Sequence, residues 1–318
     1  VGFKVKSSKI NLLKDAEIVI WTTTPWTIPA NKALAYNKNL EYSIIEINSQ
    51  LVNFNSKKIV IATKLLDQVS KDCEIGAYKL IKNIKGKDLD NTICSHPFEN
   101  LGYQFDVPML EANFVTLEQG TGFVHCAPSH GPDDFNLCLK HGIKSLDTID
   151  DDGRYTKHIK KFEGIHIFKA DKIVTENLKE CKKLLANGKL THSYPHSWRS
   201  KAPLVHRATS QWFISMEKKD LRKKALKAID NTDFYPESGR GRIRSMIETR
   251  PDWCVSRQRI WGVPLPLFIS KKTKEPLKDP EIIENIARIF EKEGADCWFA
   301  DDPQKFLGKK YKKEDYIK

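Results

Sequence analysis

Read by the alternation of apolar and polar positions, the chain opens rich in strands and then turns helical. Residues 16–21 form an apolar, β-branched run, the pattern of a buried strand, and residues 41–47, 59–62 and 122–125 also read as β. Residues 132–141 read as a helix that opens at a proline after Ser129 to Gly131 and closes at Gly142. A second helix is expected over 170–185, where Ile173, Val174, Leu178, Cys181 and Leu185 share one face, with Asn187-Gly188 as its C-terminal cap. Beyond residue 191 tryptophan, arginine and proline set the character, and helices are predicted over 218–229, 242–248 and 280–292. The shift near Leu190 places a domain boundary there, dividing the chain into 1–190 and 191–318, and 318 residues are ample for two cores.

One stretch departs from this patterning. Trp21-Thr22-Thr23-Thr24-Pro25-Trp26-Thr27-Ile28-Pro29-Ala30-Asn31 sets four hydroxyls, two prolines and a carboxamide directly after a predicted strand. Pro25 and Pro29 fix the backbone against a regular helix, so the hydroxyls are left at a strand end. Threonines in a turn can also simply satisfy their own backbone. A second stretch, Gly120-Thr121-Gly122-Phe123-Val124-His125-Cys126-Ala127-Pro128-Ser129-His130-Gly131-Pro132-Asp133-Asp134, supplies histidines and carboxylates, and the two together are far more specific than either alone.

Thr-Thr-Thr-Pro-Trp-Thr followed by Pro-Ala-Asn, with the later Gly-Thr-Gly-x-Val-His-x-Ala-Pro-x-His-Gly-x-x-Asp, resembles the editing domain of isoleucyl-tRNA synthetases. Valyl and leucyl relatives carry Thr-Thr-Arg-Pro in the first motif and lack the first histidine of the second. Thr24 and His125 therefore point to the isoleucyl branch. The resemblance continues through Asp151-Asp152-Gly153-Arg154-Tyr155, Tyr194 to Arg199, Gln211-Trp212-Phe213 and Arg250 to Pro264, and so covers most of the chain. It implies an α/β fold: a β-barrel-like editing domain over 1–190, then part of a doubly wound, Rossmann-like nucleotide-binding domain over 191–318. The opening Val1-Gly2-Phe3-Lys4 and the charged run ending at Lys318 read as the ends of an internal fragment.

The resemblance also implies a chemistry. A missing methylene is worth only ~1–3 kcal/mol, so an isoleucine site rejects valine poorly, isoleucyl-tRNA synthetase being the standard worked example, and a second sieve must hydrolyse valyl-tRNA(Ile). Asp134 matches the carboxylate that binds the substrate ammonium, a pairing favoured in a partly desolvated pocket. Its neighbour Asp133 is explained as well by the positive end of the helix. His125 matches the histidine implicated in rejecting the isoleucyl group. Thr24, Thr27 and Asn31 match positions that line the pocket, orient the terminal adenosine and place the hydrolytic water, and Thr22 and Thr23 are further substrate-binding residues. A threonine hydroxyl is not basic, so positioning and oxyanion stabilisation are expected of it rather than proton abstraction. Trp261, with Arg257, Gln258 and Arg259, resembles the border of the amino-acid and adenylate region, although packing and a solvated basic face would account for the same residues.

Editing implies no cofactor, whereas the intact synthetase uses ATP and Mg to ligate isoleucine to its tRNA. His125, His130 and Asp134 are metal-binding residue types without a clear fourth ligand, so no metal is expected. The zinc-binding Cys-Trp-Arg-Cys of some relatives is here Ser197-Trp198-Arg199-Ser200. The His-x-Gly-His motif is absent, and Met109, Met216 and Met246 lie outside any Lys-Met-Ser-Lys-Ser loop, so this chain alone is not expected to activate an amino acid. Its net charge of +12, from 53 basic and 41 acidic residues, suits the acceptor end of tRNA(Ile) as partner. Seven cysteines without a Cys-x-x-Cys pair argue against a disulfide framework or zinc ribbon, and no apolar run approaches the ~18 residues of a membrane span. A cytoplasmic monomer is the expectation. Two rivals to the editing enzyme are a fragment that only holds the acceptor end and a metallohydrolase.

Overall fold

The β-branched runs of the first part are built into one mixed sheet. In the computed structural model, which describes residues 1–47, 53–191, 193–257 and 262–318, its strands are β1 (Gly2–Ser7), β2 (Glu17–Val19), β3 (Ala33–Tyr36), β4 (Glu41–Ile47), β5 (Lys58–Ala62), β6 (Tyr78–Lys85), β7 (Ile93–Ser95), β8 (Asp106–Glu111) and β9 (Val124–Cys126). They lie in the order β6-β4-β5-β2-β1-β7-β8-β3-β9, with β2/β5 and β3/β8 parallel and the other ladders antiparallel. β3 is buried on both faces, which explains its unbroken apolar run in place of an alternating one. β1 pairs with β2 through Gly2, Phe3 and Lys4 and then with β7 through Val5 and Ser7, across an irregularity in register.

Three helices accompany the sheet: α1 (Leu66–Asp72), α2 (Pro132–Lys140) and α3 (Ile167–Glu180). α2 opens at its proline as the sequence suggests. α3 stops before residue 185, well short of Asn187-Gly188, because Lys182 takes a left-handed conformation (φ 56°). Its N–H donates to Lys179 O and the Lys183 N–H to Leu178 O, both at 2.9 Å, which is the Schellman closure. Lys183 then lies 2.5 Å from the buried Glu17 carboxylate of β2. The inner face of α3, Ala170, Val174 and Leu178, shares a core with Trp26, Ile28, Phe98 and Phe162, so the helix packs behind the threonine stretch.

Two compact units divide between Thr209 and Ser210. Residues 191–209, placed with the second part on sequence, count with the first. Long-range bonds hold them there: His130 Nδ1 to His206 O (3.0 Å), Ala208 N–H to Ser129 O (2.8 Å) and the Arg207 guanidinium to Asp150 O and the Asp151 carboxylate (both 2.6 Å). The second unit contains the short strands β10 (Phe213–Ile214), β11 (Trp253–Cys254), β12 (Ile269–Ser270) and β13 (Tyr316–Ile317), paired antiparallel as β10/β11 and β12/β13. Its principal helices are α4 (Leu221–Asp230), α5 (Ser238–Glu248) and α6 (Pro280–Glu293), around a core of Phe268, Ile282, Ile286, Cys297, Trp298, Phe306 and Leu307. The whole is a mixed α/β structure. Among the described residues no helix is long and apolar enough to cross a membrane.

Candidate active site at the threonine loop

The threonine stretch is more regular than its two prolines suggest. Residues Pro25–Ala30 form a 3-10 helix with Pro25 at its first position. The Thr27 N–H donates to Thr24 O (2.9 Å) and the Asn31 N–H to Ile28 O (3.0 Å), and neither bond needs a proline N–H. Side chains distant in sequence fix this loop. The Trp26 N–H donates to Asp171 Oδ1 of α3 (2.9 Å), and the Tyr155 hydroxyl donates to Trp26 O. His96, fully buried, hydrogen-bonds Ile28 O through Nε2 (3.0 Å) and accepts the Phe98 N–H at Nδ1 (3.1 Å).

The two sequence motifs meet because β3, leaving the loop, pairs with β9 in the register Ala33↔Cys126 and Leu34↔His125. Gly122, at φ 79°, permits the turn into β9, where a Cβ would stand 2.3 Å from that of Ala62. His125 Nε2 thereby comes 3.0 Å from Thr27 Oγ1, with both side chains buried. The Thr27 hydroxyl donates to Thr24 O (2.9 Å), so it accepts from an Nε2–H, leaving Nδ1 as a buried acceptor without a protein partner. The chain of hydroxyls continues from Thr27 to Thr24 (3.5 Å) and from Thr24 to Thr22 (3.3 Å). Burial, and then the nearby His130, push the His125 pKa down to about 4, so the ring is neutral at physiological pH.

Asp134 stands in the first turn of α2 and accepts the Ala127 N–H at Oδ2 (2.9 Å), two residues beyond His125. A Cβ at Gly131 would lie 3.2 Å from its carboxyl carbon, so glycine leaves it room. Partial burial pushes the Asp134 pKa up to about 6, against the Ala127 hydrogen bond and with help from Asp133. A cation placed beside it would restore the charged form. Asp133 itself is exposed. Both ring nitrogens of His130 are engaged, with His206 O (3.0 Å) and Thr148 Oγ1 (2.9 Å), and the ring meets Trp26 edge-on with centroids 4.8 Å apart.

Thr22 and Thr23 line a cleft of about 1130 Å³ together with Trp21, Gly120 and Lys172, a lining that does not extend to His125 or Asp134. Asn31 is fully buried, donates to Ala33 O (2.9 Å) and lies outside the hydroxyl chain, so its visible work is to hold the start of β3. Trp261, Gln258 and Arg259 fall outside the described residues. Arg257 bonds Cys254 O and Ser256 O, both at 2.7 Å, within the second unit. Among the described residues no three His, Cys, Asp or Glu side chains are grouped to hold a metal ion.

The model of one family, tRNA synthetases class I (I, L, M and V), matches residues 11–318. The chain belongs to the class I tRNA synthetases. It is 69% identical over 317 residues to the isoleucine–tRNA ligase of Pelagibacter ubique (strain HTCC1062), covering 100% of this chain and 35% of that protein. The isoleucine–tRNA ligase of Gluconobacter oxydans (strain 621H) is 45% identical over 319 residues, with 96% of this chain and 33% of that protein covered. The chain thus spans about a third of the length of these curated relatives. Among solved structures, the editing domain of the P. falciparum cytosolic leucyl-tRNA synthetase aligns at a TM-score of 0.40 and 13% identity, over 54% of this chain and 78% of that one. That likeness is too weak to bear on function.

In this class I synthetase chain, the supports of the loop are what sequence reading missed. Tyr155 sits in a stretch that carries the family resemblance but showed no role. Asp171 and His96 reach the loop only through the tertiary fold, and nothing in their immediate sequence signals it.

Proposed function

We propose that the chain is part of an isoleucyl-tRNA synthetase and that its first unit is the editing domain, which hydrolyses valyl-tRNA(Ile). The observation that carries this reading is the hydroxyl chain Thr22, Thr24, Thr27 ending on neutral His125, with Asp134 tied to the same strand end through Ala127. The isoleucine–tRNA ligases at 69% and 45% identity support it. The second unit is part of the catalytic domain, and ATP- and Mg-dependent ligation of isoleucine belongs to the intact enzyme.

The residues divide the task by their chemistry. Ionised Asp134 binds the valyl ammonium, and pairing draws its pKa back down. His125 spends its Nε2–H on Thr27 and carries no charge, so it bounds the side-chain space as a steric gate against one extra methylene instead of acting as a base through Nε2. The threonine hydroxyls hold water and the ester carbonyl in register, and Asn31 supports them from behind by holding the start of β3. Water attacks the carbonyl carbon, the bond to the ribose oxygen breaks, and that oxygen receives a proton, releasing valine and intact tRNA. The partner is the acceptor end of tRNA(Ile), drawn by the net charge of +12 to a cytoplasmic, monomeric enzyme that needs no cofactor for this step.

The test is parallel hydrolysis of valyl-tRNA and isoleucyl-tRNA by this chain, with a chelator present. Loss of the valyl ester alone is the expected result. Retained tRNA binding with neither ester cut would favour a fragment that only holds the acceptor end, and hydrolysis stopped by the chelator would favour a metallohydrolase.

A further inference from the structure

A threonine at the N-cap of a helix ordinarily turns its hydroxyl onto a backbone N–H of the first turn. Thr24 occupies that position before Pro25–Ala30 and makes no such bond. Pro25 has no N–H to offer, and the Thr27 N–H is already bonded to Thr24 O at 2.9 Å. The donor left for a cap is the Trp26 N–H, and Asp171 takes it from 145 residues away at 2.9 Å. Thr24 Oγ1 is thereby released to face Thr22 Oγ1 (3.3 Å) and Thr27 Oγ1 (3.5 Å).

We infer that Asp171 is a positioning residue of the hydrolytic site: by capping the threonine loop from α3 it keeps the Thr24 hydroxyl in the chain that ends at His125. The platform for this is firm. Ala170, on the same turn of α3, is buried in one core with Trp26 and Ile28, and the Tyr155 hydroxyl holds the carbonyl of the residue whose N–H Asp171 holds. Without the carboxylate, the acceptor that capping geometry supplies for the Trp26 N–H is the Thr24 hydroxyl itself, and a rotation about χ1 would take it out of the site. The kinetic part of the inference rests on the proposed ester hydrolysis; the cap does not.

Two measurements on the whole chain test it. In valyl-tRNA hydrolysis, Asp171→Ala should lower kcat roughly tenfold or more with KM within about twofold, the pattern of misplaced groups rather than lost binding. Asp171→Asn keeps an acceptor oxygen and should recover most of the rate. Thr24→Ala added to Asp171→Ala should cost nothing further, because the hydroxyl has already left. Additive losses, or equal losses in the Ala and Asn variants, overturn the inference. The second measurement needs no substrate and no fragile variant: with ¹⁵N-tryptophan labelling, the Trp26 amide signal should move as Asp171 protonates on acidification and stop moving in Asp171→Asn. A Trp26 amide indifferent to acid in the unaltered chain overturns the cap. A chain that leaves valyl-tRNA intact while this signal follows Asp171 keeps the cap and refutes the reaction.

Discussion

The two units bury polar groups very differently. Among the described residues, the buried polar side chains other than Asp279 all lie in the first unit, and they include Thr27, Asn31, His96 and His125 at the loop and the strand facing it. The second unit buries a small aromatic and aliphatic core and leaves large apolar groups such as Tyr235, Phe299 and Ile283 exposed. Buried polar groups cost stability unless they are hydrogen-bonded. The first unit can hold a site of neutral hydroxyls and imidazole because its fold supplies long-range partners, His125 of β9 for Thr27 and Ile28 O for His96, 98 and 68 residues apart in sequence. The second unit, with two-residue ladders, has no such framework among its described residues.

That contrast can be broken in several ways. Asp134→Ala should abolish hydrolysis of the valyl ester, while Arg257→Ala in the second unit should leave it unchanged; a rate that survives the loss of Asp134 removes the ammonium site from it. Ile286→Ala should lower the stability of the second unit by about 2–5 kcal/mol, read as a denaturation midpoint, without moving the first unit's transition. Acid should distinguish the units, weakening the first and sparing the second. Burial depresses His96 to about 3 and His125 to about 4, below the ~6.5 of an unfolded histidine. The unfolded state therefore takes up protons first, and the stability these rings contribute above ~6.5 is lost as pH falls toward 4 and below, by about 2 kcal/mol each at pH 5. Asp134, raised to about 6, opposes this, because in the folded state it protonates before the unfolded carboxyl does. The second unit contains no histidine, and its urea midpoint should hold between pH 7 and pH 5. The smallest effect is one of selectivity: His125→Ala should let the isoleucyl ester be cut, shrinking a preference worth ~1–3 kcal/mol per methylene.

Elements set by local signals were legible in the sequence. Asp279 caps α6 by accepting the Glu281 N–H (3.0 Å), ahead of a proline at the predicted start, and β4 spans its predicted residues. One error and one omission came from reading punctuation as decisive. Asn187-Gly188 resembled a helix cap, yet a lysine took the left-handed position earlier; Pro25 and Pro29 do keep a regular α-helix from forming, but the short 3-10 turn, whose i→i+3 bonds do not need them, went unread. Thr22, Thr24, Thr27, His125 and Asp134 were named through the family resemblance, and the β3/β9 ladder brings Thr27 and His125 into contact. What no local pattern conveyed is the tertiary scaffolding: Asp171, Tyr155 and His96 act on the loop across 145, 129 and 68 residues. Asn31, expected among the lining residues, sits fully buried against Ala33 O instead.

The pairing of Leu34 with His125 has an all-or-none character. Side chains alternate faces along a strand, so a slip of one residue between β3 and β9 would carry the imidazole to the opposite face of the sheet and no nearer position exists between. The contact between Thr27 and His125 is thus set like a switch with two settings. Insertions or deletions in the short link from Asn31 to Ala33 should silence the site outright, whereas substitutions there should only tune it.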